Sequence, residues 1–392
     1  MTSSKRIETK LVQIGNRSDP VTGAINPPIY LSTAFQHKGL GQSTGFDYSR
    51  TKNPTRSILE EAITDLEDGD AGFACSSGMA AIQLVLSLFR SGDHLLVPED
   101  IYGGTFRLLD YYVKTYDIKT TYVPFDHVTT TEQYISDRTK AIYIETPTNP
   151  LMQEINIRQY ADLAHKHDLL LIVDNTFLTP YLQQPLTLGA DIVLHSATKY
   201  IGGHNDVLGG LVVAKGGSIC ERLAFNHNAA GAVLSAFDSW LLIRGLKTLA
   251  LRMVKHEENA KELASFLNVQ PEVSDVLYPN KGGMLSFRLQ ESKWINPFLS
   301  SLKLIVFAES LGGVESFITY PATQTHTDIP REDRIRRGIS DDLLRFSVGI
   351  EQVEDLKADL FQALSQLQKE DDYHESICKS SRDKINSCGW KR

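Results

Sequence analysis

Between about residues 70 and 215 the sequence alternates short, continuously apolar runs with longer amphipathic stretches. The clearest runs are Leu95-Leu96-Val97, Ala141-Ile142-Tyr143-Ile144, Leu169 through Val173, Ile192-Val193-Leu194 and Leu211-Val212-Val213. Runs this short, without polar alternation, fit strands buried on both faces, and their alternation with helical stretches fits βα units. The expected class is α/β, with a mostly parallel central sheet and helices on both faces. Polar or turn clusters follow the runs: Pro98-Glu99-Asp100, Glu145-Thr146-Pro147-Thr148-Asn149-Pro150, Asp174-Asn175-Thr176 and His195-Ser196-Ala197-Thr198-Lys199. Ligands of open α/β sheets bind outside the carboxyl ends of the strands, where these clusters fall.

A chain of 392 residues is long enough for two or three domains and a core that encloses a cofactor. Residues 1–58 read as an irregular arm contacting a neighbouring subunit, with a helix starting near Thr55; residues 59–250 form the large domain that carries the clusters. Residues 251–370 form a smaller C-terminal α/β domain, with charged helices at Lys255 to Phe266 and Asp355 to Lys369 and a strand at Met284 to Leu289. Residues 371–392 are polar and aperiodic and are expected to be a flexible tail. No stretch approaches the roughly 20 apolar residues of a membrane span, and the first residues lack the apolar segment of a secretory signal, so a cytoplasmic protein is expected. A net charge of −8 without a basic run argues against nucleic acid and for small-molecule partners. Cys75, Cys220, Cys378 and Cys388 are scattered without metal-ligand spacing, so neither a metal nor a disulfide is expected.

Chemistry concentrates around Lys199. It follows a buried strand and stands next to Ser196 and Thr198, two hydroxyls able to reach one phosphate, while a lysine amine of lowered pKa condenses with aldehydes. Taken alone it is an ordinary surface lysine. Asp174 changes the balance: it closes the preceding apolar strand, where a carboxylate needs a positive partner unless it merely caps the next helix. A lysine for the aldehyde and an aspartate for the ring nitrogen are what pyridoxal 5'-phosphate (PLP) requires. Ser77-Gly78-Met79-Ala80-Ala81 opens a helix expected to continue through Leu88, whose free N–H groups suit a phosphate or, more plainly, a cap. Tyr102 is placed to lay its ring on an aromatic cofactor or to serve as core. Arg345 interrupts an apolar run and, if buried, should meet a carboxylate; Arg50 suits a phosphate, and either also fits a structural ion pair.

Seven motifs then occur in order: Tyr48-x-Arg50-x-x-Asn53-Pro54-Thr55, Ser77 to Ala81, Glu145 to Pro150, Val173-Asp174-Asn175-Thr176, His195 to Tyr200, Gly203-His204-x-Asp206, and Ser310-Leu311-Gly312-Gly313-Val314-Glu315-Ser316. Through them the chain resembles, over nearly its whole length, the Cys/Met-metabolism family of PLP enzymes. The resemblance implies the aspartate-aminotransferase-like fold (PLP-dependent transferase fold type I) and a homotetramer of dimers whose arms complete neighbouring sites. It implies that Lys199 is the Schiff-base lysine and proton shuttle and that Asp174 partners the ring nitrogen. Gly78, Met79, Ser196 and Thr198 would hold the phosphate, joined by Tyr48 and Arg50 of the neighbouring subunit. Tyr102 would stack on the ring and assist proton transfer, while Asn149, Ser316 and Arg345 would position the substrate carboxylate or the cofactor's phenolic oxygen.

Within that family, Pro321-Ala322-Thr323-Gln324-Thr325-His326 after Glu315-Ser316 resembles the synthase pattern. This favours γ-replacement, forming cystathionine from an O-acylhomoserine and cysteine, with direct sulfhydrylation by sulfide as a second reaction of methionine biosynthesis. Glu315 would face the incoming cysteine's amine. Thr51 stands where some enzymes using succinylated homoserine carry a second arginine, which favours the acetyl ester. The short link from Tyr278-Pro279 to Gly282-Gly283-Met284 departs from many relatives. Cystathionine β- or γ-lyase is the rival activity, and a non-catalytic PLP- or metabolite-binding protein the remote one.

Overall fold

The expected apolar runs become strands in the computed structural model, which describes residues 5–367. Cys378, Cys388, the expected tail and the end of the helix expected to reach Lys369 lie outside the described residues. The strands of the larger sheet are β1 (Ala71–Cys75), β2 (His94–Pro98), β3 (Lys119–Val123), β4 (Thr139–Glu145), β5 (Leu170–Asp174), β6 (Ile192–Ser196) and β7 (Gly210–Ala214). Their order across the sheet is β1-β7-β6-β5-β4-β2-β3. The pairs from β6 through β5, β4 and β2 to β3 are parallel, whereas β7 runs antiparallel to both β6 and β1. The fold is the mostly parallel α/β class expected. β1 and β3 went unread: Ala71–Cys75 is too small-sided and Lys119–Val123 too polar to stand out as an apolar run, and pairing with buried neighbours makes them strands.

Helices cover both faces. Ile142, Ile144, Leu171, Val173 and Val193 point to one core, while Tyr143, Ile172, Leu194 and Val212 point to the other. The helix Pro54–Glu67 starts where the sequence placed it, because Asn53 accepts the N–H groups of Thr55 and Arg56 and Pro54 occupies the first turn. The helix opened by the Ser77 cap runs Gly78–Leu86, two residues short of Leu88.

A second sheet of five strands follows: β8 (Val273–Leu277), β9 (Met284–Leu289), β10 (Val306–Phe307), β11 (Phe317–Thr319) and β12 (Leu343–Ser347), in the order β10-β11-β12-β9-β8. One face packs a core of its own, with Leu285, Phe287, Leu344 and Phe346 against Phe298, Leu360 and Leu364. The other carries Ser286 and Arg345, which are register partners. Ser286 donates to the carbonyl of Pro150 at 2.6 Å, so this polar face meets the carboxyl end of the larger sheet. No helix among the described residues is long and apolar enough to cross a membrane.

The turn after β6 is fastened from behind by Arg252, which is 4% exposed. Its guanidinium donates to the carbonyls of Tyr200 at 2.6 Å and Gly245 at 2.7 Å, and to the hydroxyl of Thr248 at 3.1 Å. Arg252→Met keeps the apolar stem but leaves these acceptors unpaired, and we expect about 3 kcal/mol of lost stability, read as a fall in the denaturation midpoint.

Candidate active site

The carboxyl ends of β4, β5 and β6, the helix Gly78–Leu86 and the polar face of the second sheet enclose a cavity of about 920 Å³, its open mouth included. Gly78, Met79, Tyr102, Asn149, Asp174, Ser196, Thr198, Lys199 and Arg345, named from sequence, all line it. β5 and β6 are neighbours, with Asp174 paired to Leu194. Asp174 therefore ends one strand on the cavity face, and Lys199 follows the end of the next.

Among the described residues Lys199 pairs with no carboxylate, and its amine reaches only the Ser310 hydroxyl, at 3.5 Å. Burial, and then the positive charge of Arg345, lower its pKa to about 8. Asp174 accepts the N–H of Thr176 at 3.0 Å and its hydroxyl at 2.5 Å on one oxygen, and the Tyr143 hydroxyl at 3.4 Å on the other. Burial pushes its carboxyl above the ordinary aspartate range, and the Thr176 donors oppose that rise.

At the other wall the Ser77 side chain accepts the N–H of Ala80, while the N–H groups of Gly78 and Met79 belong to the first turn and find no acceptor within the helix. A Cβ at Gly78 would come within 2.8 Å of Ser196 Cβ and Oγ, so only glycine lets the helix end and the Ser196 hydroxyl share one small cradle. Thr198 differs from expectation in part: its hydroxyl accepts the N–H of Gly209 at 3.0 Å and also contacts that residue's carbonyl oxygen.

Arg345 is buried, at 2% exposure, and among the described residues it hydrogen-bonds to no carboxylate; it donates to Asn149 Oδ1 at 3.0 Å, the Ser310 carbonyl at 3.1 Å and Thr319 Oγ1 at 3.0 Å. Its Nε is buried and without a partner among the described residues. A cation surrounded by neutral acceptors, with a donor left over, is suited to an incoming anion. Burial lowers its pKa to about 10, so it remains a cation at neutral pH.

Four other expected residues do not line the cavity. Tyr48 and Arg50 are exposed and stack at 5.7 Å, with the guanidinium donating to Asn228; Thr51 donates to the same side chain. Glu315 faces outward and accepts from Asn205 at 2.7 Å. Ser316 is buried, donates to Glu351 at 2.9 Å and accepts the N–H of Gly349 at 2.9 Å, so its hydroxyl is occupied inside the loop. Two cavity carboxylates lay outside the sequence candidates. Glu309 is exposed at the mouth and immediately precedes the Ser310 motif, and Glu145 lies on the wall beside Asp174. For Glu145 the signal was present, an acid closing a buried strand.

The residues fit PLP. Lys199 suits its aldehyde, Asp174 its ring nitrogen, and the Gly78–Ser196 cradle its phosphate. Because only the neutral amine attacks an aldehyde, PLP uptake by the cofactor-free protein should rise about tenfold per pH unit below pH 8 and level off above it. Stopped-flow absorbance checks this, and a profile still rising toward the ordinary lysine pKa would contradict it.

The pattern of the family described as Cys/Met metabolism PLP-dependent enzymes matches residues 8–365. The chain is 62% identical to a cystathionine gamma-synthase of Haemophilus influenzae over 368 residues, 94% of this chain and 100% of that one. It is 62% identical to a cystathionine gamma-synthase/O-acetylhomoserine (thiol)-lyase of Bacillus subtilis over 366 residues, 93% of this chain and 98% of that one. The crystal structure of cystathionine gamma synthase from Xanthomonas oryzae in complex with aminoacrylate and cysteine superposes with a TM-score of 0.91 at 40% identity, covering 94% of this chain and 100% of that one. A matching pattern across nearly the whole chain, on this fold and around this cavity, makes the protein a member of the Cys/Met-metabolism family of PLP-dependent enzymes.

Proposed function

We propose that the protein catalyses γ-replacement, joining an O-acyl-L-homoserine, the acetyl ester foremost, to L-cysteine to give L-cystathionine for methionine biosynthesis, with sulfide as a second nucleophile that yields homocysteine. The observation that carries this is the 62% identity, over almost the full length of both chains, to two enzymes that bear the synthase name. The arm bearing Tyr48 and Arg50 completes a neighbour's site in a cytoplasmic homotetramer; their exposure away from their own cavity supports this part.

PLP, when bound, supplies an electron sink for charge developing at the substrate α-carbon. Everything else falls to side chains. Arg345 takes the substrate α-carboxylate, using the Nε that has no partner. Asn149, fixed by that same arginine and by His326 through its backbone carbonyl, orients the reacting end. Lys199, with its pKa near 8, accepts the α-proton and can return one, because at neutral pH both its forms are accessible. Tyr102 forms the wall against which the ring rests. Burial and the nearby Glu309 carboxylate hold its phenol protonated at neutral pH. Loss of a β-proton and departure of the acyl carboxylate from the γ-carbon leave an unsaturated side chain. A thiol adds at the γ-carbon as its own proton is released to the departed acyl carboxylate, and protons return to the β-carbon and then, from Lys199, to the α-carbon. Glu309 replaces Glu315 as the carboxylate that receives the incoming cysteine's ammonium, since it faces the cavity and Glu315 does not.

Two incubations test the reaction: O-acetylhomoserine with cysteine, and cystathionine alone. Cystathionine formed in the first, with little pyruvate from the second, is expected; rapid pyruvate from cystathionine and no synthesis would identify a lyase. For Glu309→Gln we expect KM for cysteine to rise about tenfold while the reaction with sulfide, which has no ammonium, keeps its KM.

A further inference from the structure

Glu145 ends β4 as Asp174 ends β5, and the two are direct register partners. Partners on adjacent strands project from the same face about 4.8 Å apart. Both line the cavity, at 6% and 7% exposure. Two carboxylates this close and this buried do not both ionise without ample compensation.

The surrounding groups decide which keeps the charge. Asp174 accepts three donors, two from Thr176 and one from Tyr143. Glu145 accepts one, the backbone N–H of Tyr102 at 3.0 Å on Oε2. Facing the pair are Lys199 from the turn after β6 and Arg345 from β12, the latter already engaged by neutral oxygens. The remaining neighbours are Asp100 beyond β2, Tyr102, Tyr143 on β4, and His195 on β6, whose ring lies near Asp174 and is itself held by the buried Glu67 at 2.7 Å. Asp174, the better supplied with donors, would be the carboxylate to hold a protonated ring nitrogen, while a phosphate in the Gly78–Ser196 cradle would add negative charge nearby. Burial first, and then the charge of Asp174, push the Glu145 carboxyl well above the ordinary glutamate range.

We infer that Glu145 is a positioning residue that works as a neutral carboxylic acid, holding the Tyr102 backbone through Oε2 and leaving Asp174 as the one anion facing the cofactor ring. This depends on PLP binding at Lys199 and not on which bond is broken afterwards, so it stands whether the enzyme proves a synthase or a lyase.

The test is spectroscopic, on the PLP-loaded enzyme. The midpoint at which the bound cofactor's visible absorbance changes with pH should be the same in wild type and in Glu145→Gln, whose amide copies the shape and neutrality of the acid. Were Glu145 ionised, removing its charge would shift that midpoint downward by about a unit or more, since a lost anion makes a nearby cation easier to deprotonate. At about pH 8, above the range of Asp100, whose pKa is raised to about 6, the infrared difference between wild type and variant should contain one protonated-carboxyl carbonyl stretch. A shifted midpoint or a carboxylate stretch in its place overturns the inference. If the variant does not fold, protein labelled with carboxyl-13C glutamate and carrying Glu60→Gln, since burial also raises the Glu60 carboxyl, gives the same decision: a labelled carboxylic-acid band at that pH supports the inference, and labelled carboxylate bands alone overturn it.

Discussion

Two opposite charges at adjacent strand ends, Asp174 buried and Lys199 half-buried, neither in an ion pair among the described residues, are the constraint on which this structure turns. Asp174 has hydroxyl and N–H donors but no cation, and Lys199 has only a distant serine hydroxyl. Holding ions in that condition costs several kcal/mol each relative to water. A fold keeps such an arrangement only where the rest of the protein over-determines it. Hence the stiff supports: a five-strand parallel run ending beneath the site, a helix capped by Ser77 at the phosphate cradle, and Arg252 pinning the carbonyls of the lysine turn. A cofactor that brings an aldehyde, a ring cation and a dianion offsets the cost, so its binding and the stability of the large domain are linked.

The second sheet contributes through simple alternation. In β12, Leu344 and Phe346 enter the apolar core while Arg345 projects the opposite way, onto the cavity. A single strand thus anchors itself and delivers a guanidinium with a free donor. Gly312 brings the preceding loop close: with φ of 77° and a Cβ position 2.6 Å from the backbone N of Tyr200, any side chain there would displace the lysine turn.

Much of this was legible in the sequence because it rests on local pattern. Buried parallel strands read as apolar runs, and polar clusters after them marked the site, so nine of the thirteen residues singled out there line one cavity. What could not be read was set by partners distant in sequence. β1 is a strand because β7 lies beside it. Arg345 could be named from its strand, but not that Asn149, 196 positions away, would be the side chain that holds it. Glu315 and Glu309 are six positions apart in one loop; only the turn of the chain, with Asn205 capturing Glu315, decides which one faces the ligand. Glu145 was visible as a buried strand end, but its meaning depends on Asp174 one strand over.

On the proposed mechanism, the residues that handle the α-carbon are indifferent to the reaction type. Lys199, Asp174 and Arg345 serve replacement and elimination alike, since both begin with loss of the α-proton. Discrimination has to arise where the substrate's far end and the second substrate lie, at the mouth. There the exposed Glu309 and Leu208 line the cavity. A carboxylate at that mouth favours a nucleophile carrying an ammonium group over one without it. Choice between cysteine and sulfide therefore reduces to whether one charge is met, while commitment to replacement requires that water stay out until the thiol arrives. The deep, rigid part of the cavity sets what chemistry is possible, and on the proposed reading its open part sets which product results.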